Sequence, residues 1–192
     1  MKKIRHAIKD MISISDEELD GFLKDSYIKT FKKNEIISFP NTVPNDIFFI
    51  NKGIIRALLI DNKGLEHTTF FGVENQFIAD YACFILKKLS IICIQALEET
   101  EIVVTPRSSI EWGYQNIRYG DRLGRLIAEY YFIYQDDVIN SQYYRTPKER
   151  YDNITSIFPN IHNRVPQHMI ASYLGISPVH LSRLKKTKIS KT

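Results

Sequence analysis

The residues best suited to chemistry crowd into the end of the chain. Beyond Asp152 there is no Asp or Glu, while Arg164, Arg183, Lys185, Lys186, Lys188 and Lys191 remain. From residue 145 to 192 nine Lys or Arg face two acids, a surplus of +7, which leaves −3 for the first 144 residues of a chain whose net charge is +4. A basic end on a slightly acidic body favours a polyanion, because cations that neutralise phosphates release counterions. Arg183 carries a planar fork that matches guanine O6 and N7, and His180 and Ser182 can bond a base edge or a phosphate. Lysines are point charges better placed to neutralise phosphates than to read sequence. Val179, His180, Ser182 and Arg183 are therefore the candidate base contacts. Gln167, Ser177, Lys185, Lys186 and Lys188 are the candidate phosphate contacts.

Elements that could hold these residues are marked by their caps. Thr146-Pro147-Lys148-Glu149 combines a capping threonine, a proline at the first helical position and a glutamate where a capping box needs it. That helix runs through Arg150, Tyr151, Ile154 and Ile157 to Phe158, and Pro159-Asn160 ends it. A second helix starts near Val165-Pro166 with Met169, Ile170 and Leu174 on one side. Gly175 then stands at a left-handed cap position, and Ile176 can plug the angle between helices. Ser177 caps a third helix with Pro178 first, and its Leu181 and Leu184 face inward. Two short helices joined by a turn of this length have helix-turn-helix spacing.

Before this unit, helical periodicity runs from about Asn116 to Tyr144. Leu123, Ile127, Tyr130, Tyr134 and Asp137 fall at alternating four- and three-residue steps, with Leu126, Ile133 and Val138 beside them. At ~1.5 Å per residue this is a rod of about 40 Å, longer than a small domain needs for cover. Leu123, Leu126, Ile127, Tyr130 and Tyr134 are thus candidate contacts with a second copy around a two-fold axis. Packing against the chain's own sheet is the alternative, since Asp136 and Asp137 make a poor coiled-coil core.

From Tyr27 to Thr105 short β-branched and aromatic runs alternate with turns. They include Glu35–Phe39, Asp46–Ile50, Ile54–Ile60, Leu65–Gly72, Ile91–Leu97 and Glu101–Thr105. Gly53 and Gly64 sit where hairpins need positive φ. Roughly eight strands in this span fit an antiparallel jelly roll. Asp16–Lys24 reads as a helix with Ser15 and Glu18 as its capping box, and Ser108 or Ser109 can cap another after Pro106.

Several classes are disfavoured. No eighteen-residue apolar run exists and no signal-peptide core develops after the basic start, so a cytoplasmic protein without a membrane partner is expected. Two cysteines, Cys83 and Cys93, are too few for a disulfide framework or a four-thiolate site and are expected to be reduced and buried. A cupin-like metal enzyme would need several histidines in the roll, which offers only His67. No nucleophile motif or Gly-rich phosphate loop occurs, so no enzyme and no cofactor are expected.

The run Val165–Leu184, preceded by Pro147-Lys-Glu-Arg-Tyr151, closely resembles the helix-turn-helix of Crp/Fnr transcription regulators. Ile50–Arg56 is similar to a hairpin of that family, and Ile94–Glu98 to a late strand of its cyclic-nucleotide-binding roll. The resemblance implies an α+β protein. An effector-sensing antiparallel jelly roll would span residues 1–115, a long dimerisation helix 116–145, and a DNA-binding helix-turn-helix domain 146–192. It also implies double-stranded DNA, a second copy and RNA polymerase as partners. Two stretches depart from the family. Glu74–Ile78 and Lys87–Ser90 stand where cyclic-nucleotide receptors hold the ribose and cyclic phosphate, with Leu89 in the place of the phosphate-binding arginine. An effector pocket would then involve Phe77, Ile78, Lys88, Leu89 and Ser90, its ligand being unknown and not cyclic AMP. The eight residues after Leu184 are too few for the family's β-hairpin wing. A ligand-binding or interaction module with a vestigial DNA-binding end is the competing reading.

Overall fold

The computed structural model describes residues 1–158 and 160–189, the last three of these in backbone only. Two helices, α1 (Lys2–Met11) and α2 (Asp16–Leu23), precede β1 (Tyr27–Phe31), β2 (Ile36–Ser38), β3 (Asp46–Lys52), β4 (Ile55–Ile60), β5 (Glu66–Gly72) and β6 (Phe77–Ile78). A short α3 (Tyr81–Leu86) leads to β7 (Cys93–Ala96) and β8 (Thr100–Pro106). The strands form two antiparallel sheets ordered β1-β8-β3-β6 and β2-β7-β4-β5, the jelly roll expected from the strand pattern. Gly53 and Gly64 make their turns at φ +105° and +79°.

Strand β3 is buried on both faces, which explains its unbroken apolar run. Phe48 and Ile50 join Ile55, Phe70, Ile94 and Val104 between the sheets. Phe49 points the other way, into a layer built by Ile4, Ile8, Leu19 and Phe22 of the first two helices together with Leu123 and Ile127. Each large side chain fully buried in this way contributes about 1.5–3 kcal/mol. The Ser15–Glu18 capping box forms in both directions. Helix α1 was not expected, because its two core residues, Ile4 and Ile8, lie among charges and become visible only once docked.

Helix α4 (Arg107–Asn116) is entered from Pro106 rather than capped by Ser108 or Ser109. The long α5 (Gly120–Tyr144) follows after a break, so the rod starts four residues later than its periodicity implied. The break is a close crossing, since a Cβ on Gly120 would collide with the Gly113 carbonyl. The helical end comprises α6 (Pro147–Ile157), α7 (Ile161–Arg164), α8 (Gln167–Tyr173) and α9 (Pro178–Ile189), of which the one-turn α7 was not foreseen.

The apolar stripe of α5 faces inward and corrects the expected dimer seam. Leu123, Ile127 and Tyr131 are buried against α1, α2 and β3, and half-buried Leu126 packs on the same cluster. Tyr134 packs on Phe70 with ring centroids 4.6 Å apart. Of the expected contacts only Tyr130 is exposed. Beside it, α5 turns Phe132, 72% exposed, Ile133, Ile139, Tyr143 and Tyr144 to solvent.

Candidate nucleic-acid interface

The helical end forms its own core and shares it with the roll. Tyr151, Ile154 and Phe158 of the α6 segment pack with Met169, Ile170, Leu174 and Leu181, and Ile54, Phe71 and Leu97 of the roll complete the cluster. Thr146 caps α6 in a full capping box. Gly175 takes φ +64° and Ile176 packs in the angle between helices. His180 N–H donates to Ser177 Oγ at 3.2 Å, so Ser177 caps α9. With Leu181 buried and Leu184 half-buried, the opposite face is fixed. Val179, His180, Ser182 and Arg183 all lie exposed on it. Ser177 and Lys186 are exposed beside them, whereas Lys185 and Gln167 are half-buried. The side chain of Lys188 lies outside the described residues. A helix supported on one side and presenting its first two turns on the other can enter a DNA major groove.

The basic surplus is redistributed by the fold. Arg150 is buried, and its guanidinium donates to the Leu174 carbonyl at 3.0 Å and the Arg145 carbonyl at 2.7 Å. It thereby ties the end of α5 to the end of α8, where carbonyls left over at helix C-termini attract a cation. Arg164 donates to Glu74 at 2.8 Å and to Glu98 at 2.5 Å, both on the roll. Lys148 pairs with Asp152 at 2.5 Å. Arg183, Lys185 and Lys186 all lie on α9, whose described residues include no acid. Arg150 and Arg164 were the positioning residues that charge counting could not separate from surface cations.

Further contacts fasten α8 to the body. Ser172 Oγ accepts from Thr68 N–H at 2.9 Å, and the hydroxyls of Tyr134 and Tyr173 bond at 2.9 Å. Burial raises the Tyr134 and Tyr173 hydroxyls, so both stay protonated at neutral pH.

The expected effector residues do not converge. Lys87 ends α3 in the left-handed region at φ +53°, which throws Lys88 and Leu89 outward, Leu89 being 62% exposed. Ser90 is buried, but its hydroxyl donates to Asp80 at 2.6 Å and its backbone is tied to Asn41 and Thr42. Phe77 turns to the α1 side, edge-on to Phe49. Of these five residues only Ile78 borders the half-open cavity of about 420 Å³ between β5, α5 and α8. None of the described residues lining it carries a charge.

No family model matches the sequence, and no curated protein matches it. Solved structures do. FixK2 from Bradyrhizobium japonicum superposes with a TM-score of 0.71 at 14% identity over 86% of this chain and 85% of that one. A cyclic nucleotide-binding domain containing protein from Listeria monocytogenes EGD-e gives 0.70 at 17% identity over 98% and 91%. A Eubacterium rectale protein assigned to the crp/fnr family of transcriptional regulators gives 0.68 at 14% over 93% and 85%. At such identities the likeness is one of fold. The fold is that of the Crp/Fnr regulators, a β-roll joined to a long helix and a helical C-terminal region.

Proposed function

We propose that this chain is a DNA-binding transcription regulator of the Crp/Fnr type, which binds palindromic promoter sites as a homodimer and answers to an effector other than cyclic AMP. The observation that carries the reading is α9. Capped by Ser177, anchored by Leu181 and free of carboxylates, it offers Val179, His180, Ser182 and Arg183 on one exposed face with Lys186 beyond them. Arg183 reads guanine, and the lysines together with Gln167 and Ser177 grip phosphates. The dimer contact falls on the outward face of α5. Phe132, Ile139 and Tyr143 follow one another at steps of seven and four, a stripe that a second α5 would cover. RNA polymerase is then the second partner at promoters. Exposed Leu89 and the absence of charge among the described cavity residues argue against a cyclic phosphate.

The test is anisotropy of labelled duplex DNA titrated with the full chain at several salt concentrations. Binding that weakens steeply with salt, with a preference for selected over random duplex, is the expected result. Salt-independent or undetectable binding would favour an interaction module instead.

A further inference from the structure

We propose that the groove between α1, the turn at Asn75 and α5 binds an elongated amphiphile with one anionic head, of the fatty carboxylate class. The groove has a volume of about 750 Å³, in the range of small-molecule sites, and opens to solvent along one side. Its walls are mostly carbon. Ala7 and Met11 line it from α1, Ile127 and Tyr130 from α5, and Phe77 from β6. Consecutive residues of a strand point to opposite faces, so Phe77 borders this groove while Ile78 borders the cavity between β5, α5 and α8. The two are separate sites. None of the described residues lining the groove belongs to the helical end, and the proposal does not depend on DNA binding.

Charge is laid out along the groove. Lys2 and Lys3 line it at the start of α1, His6 midway and Asp10 near the end. At ~1.5 Å per residue, Lys2 to Met11 is a run of about 14 Å. Lys3 Nζ donates to the Asn51 carbonyl at 2.7 Å, a neutral partner that leaves its positive charge uncompensated. Lys2 forms no ion pair among the described residues. The acid lies at the other end, with Asp10 3.5 Å from His6. An anionic head therefore finds counter-charge at the Lys2 end and repulsion at the Asp10 end, while an acyl chain covers the apolar wall between them.

The probe is 11-(dansylamino)undecanoate, titrated into the full chain at low salt. Saturable, blue-shifted emission with one site per chain is expected. Decanoate should displace it at a concentration roughly threefold or more below that needed with decan-1-ol, a chain of the same length without the charge, and added salt should shrink this preference. Lys2→Glu should erase the preference. Asp10→Asn should tighten decanoate binding about twofold, a gain that damaged packing would not produce. Ala7→Leu should narrow the groove and weaken both competitors. Lys2 and Asp10 are exposed, so their variants carry the test alone if Ala7→Leu disturbs α1. Absence of saturable emission, displacement by decan-1-ol as readily as by decanoate, or a preference unchanged in Lys2→Glu would overturn the site.

Discussion

The Thr68 N–H donates to Ser172 Oγ at 2.9 Å, joining the roll to the helix-turn-helix across 104 residues of chain. The donor is available because β5 lies at the edge of its sheet, where alternate N–H groups face away from β4. Ser172→Ala would leave that donor without its partner. We expect a loss of about 1–2 kcal/mol in the stability of the docked arrangement, together with faster hydrogen exchange at the Thr68 amide. An unchanged exchange rate would show that this contact does not hold the two parts together.

Arg164 between Glu74 and Glu98 makes the docking sensitive to acid. Burial raises the Glu74 carboxyl, but the Arg164 guanidinium, the Glu74 backbone and the Gly53 N–H more than offset this and hold it below the usual 4.5. A depressed carboxyl adds stability above its unfolded pKa and loses it as pH falls through the folded value. Arg164→Ala should therefore lower Tm at pH 7 and cost progressively less below about pH 4.5. Because the Glu74 side chain is partly exposed, solvent screening limits its share to about 1 kcal/mol. A Tm difference between the two proteins that stays constant from pH 7 to pH 3 would contradict this.

Charge placed on the two faces of α5 should have different consequences. Phe132→Glu, on the exposed face, should split the proposed dimer and leave the monomer folded. Ile127→Glu buries a carboxylate among Ile8, Phe22 and Phe49 and should unfold the chain. Light scattering and circular dichroism separate these outcomes. A Phe132→Glu protein that remains dimeric at micromolar concentration would move the interface elsewhere.

What could be read from sequence was mostly local. The Ser15 and Thr146 caps and the positive φ at Gly53, Gly64 and Gly175 depend on a few neighbouring residues, and all formed as their residue types require. The face of α9 was readable for the same reason, since Leu181 and Leu184 leave only one side exposed. The stripe of Leu123, Ile127 and Tyr134 shows that a face is covered but not by what, and the cover is the chain's own first two helices and roll. Arg150 and Arg164 look like surface cations until their partners are known, and among these Leu174, Glu98 and Glu74 lie 24, 66 and 90 residues away. Leu89 and Ser90 were misplaced because the turn at Lys87 adopts a left-handed backbone at a residue that does not advertise it.

Along α9, reading and gripping should separate. Arg183→Ala should cost about 1–3 kcal/mol on a selected site and relax specificity at one base pair. Lys186→Ala should weaken selected and random duplex alike and reduce the salt slope by roughly one. Equal losses on both duplexes for both variants would place the recognition surface elsewhere.

Dimeric, sequence-specific DNA binding is tested most directly by selecting duplexes bound by the full chain from a random pool at fixed salt and sequencing them. The expected product is a palindrome with half-site centres about one helical turn apart, near 34 Å. A pool that enriches no motif after repeated selection, although the protein remains folded, would contradict it.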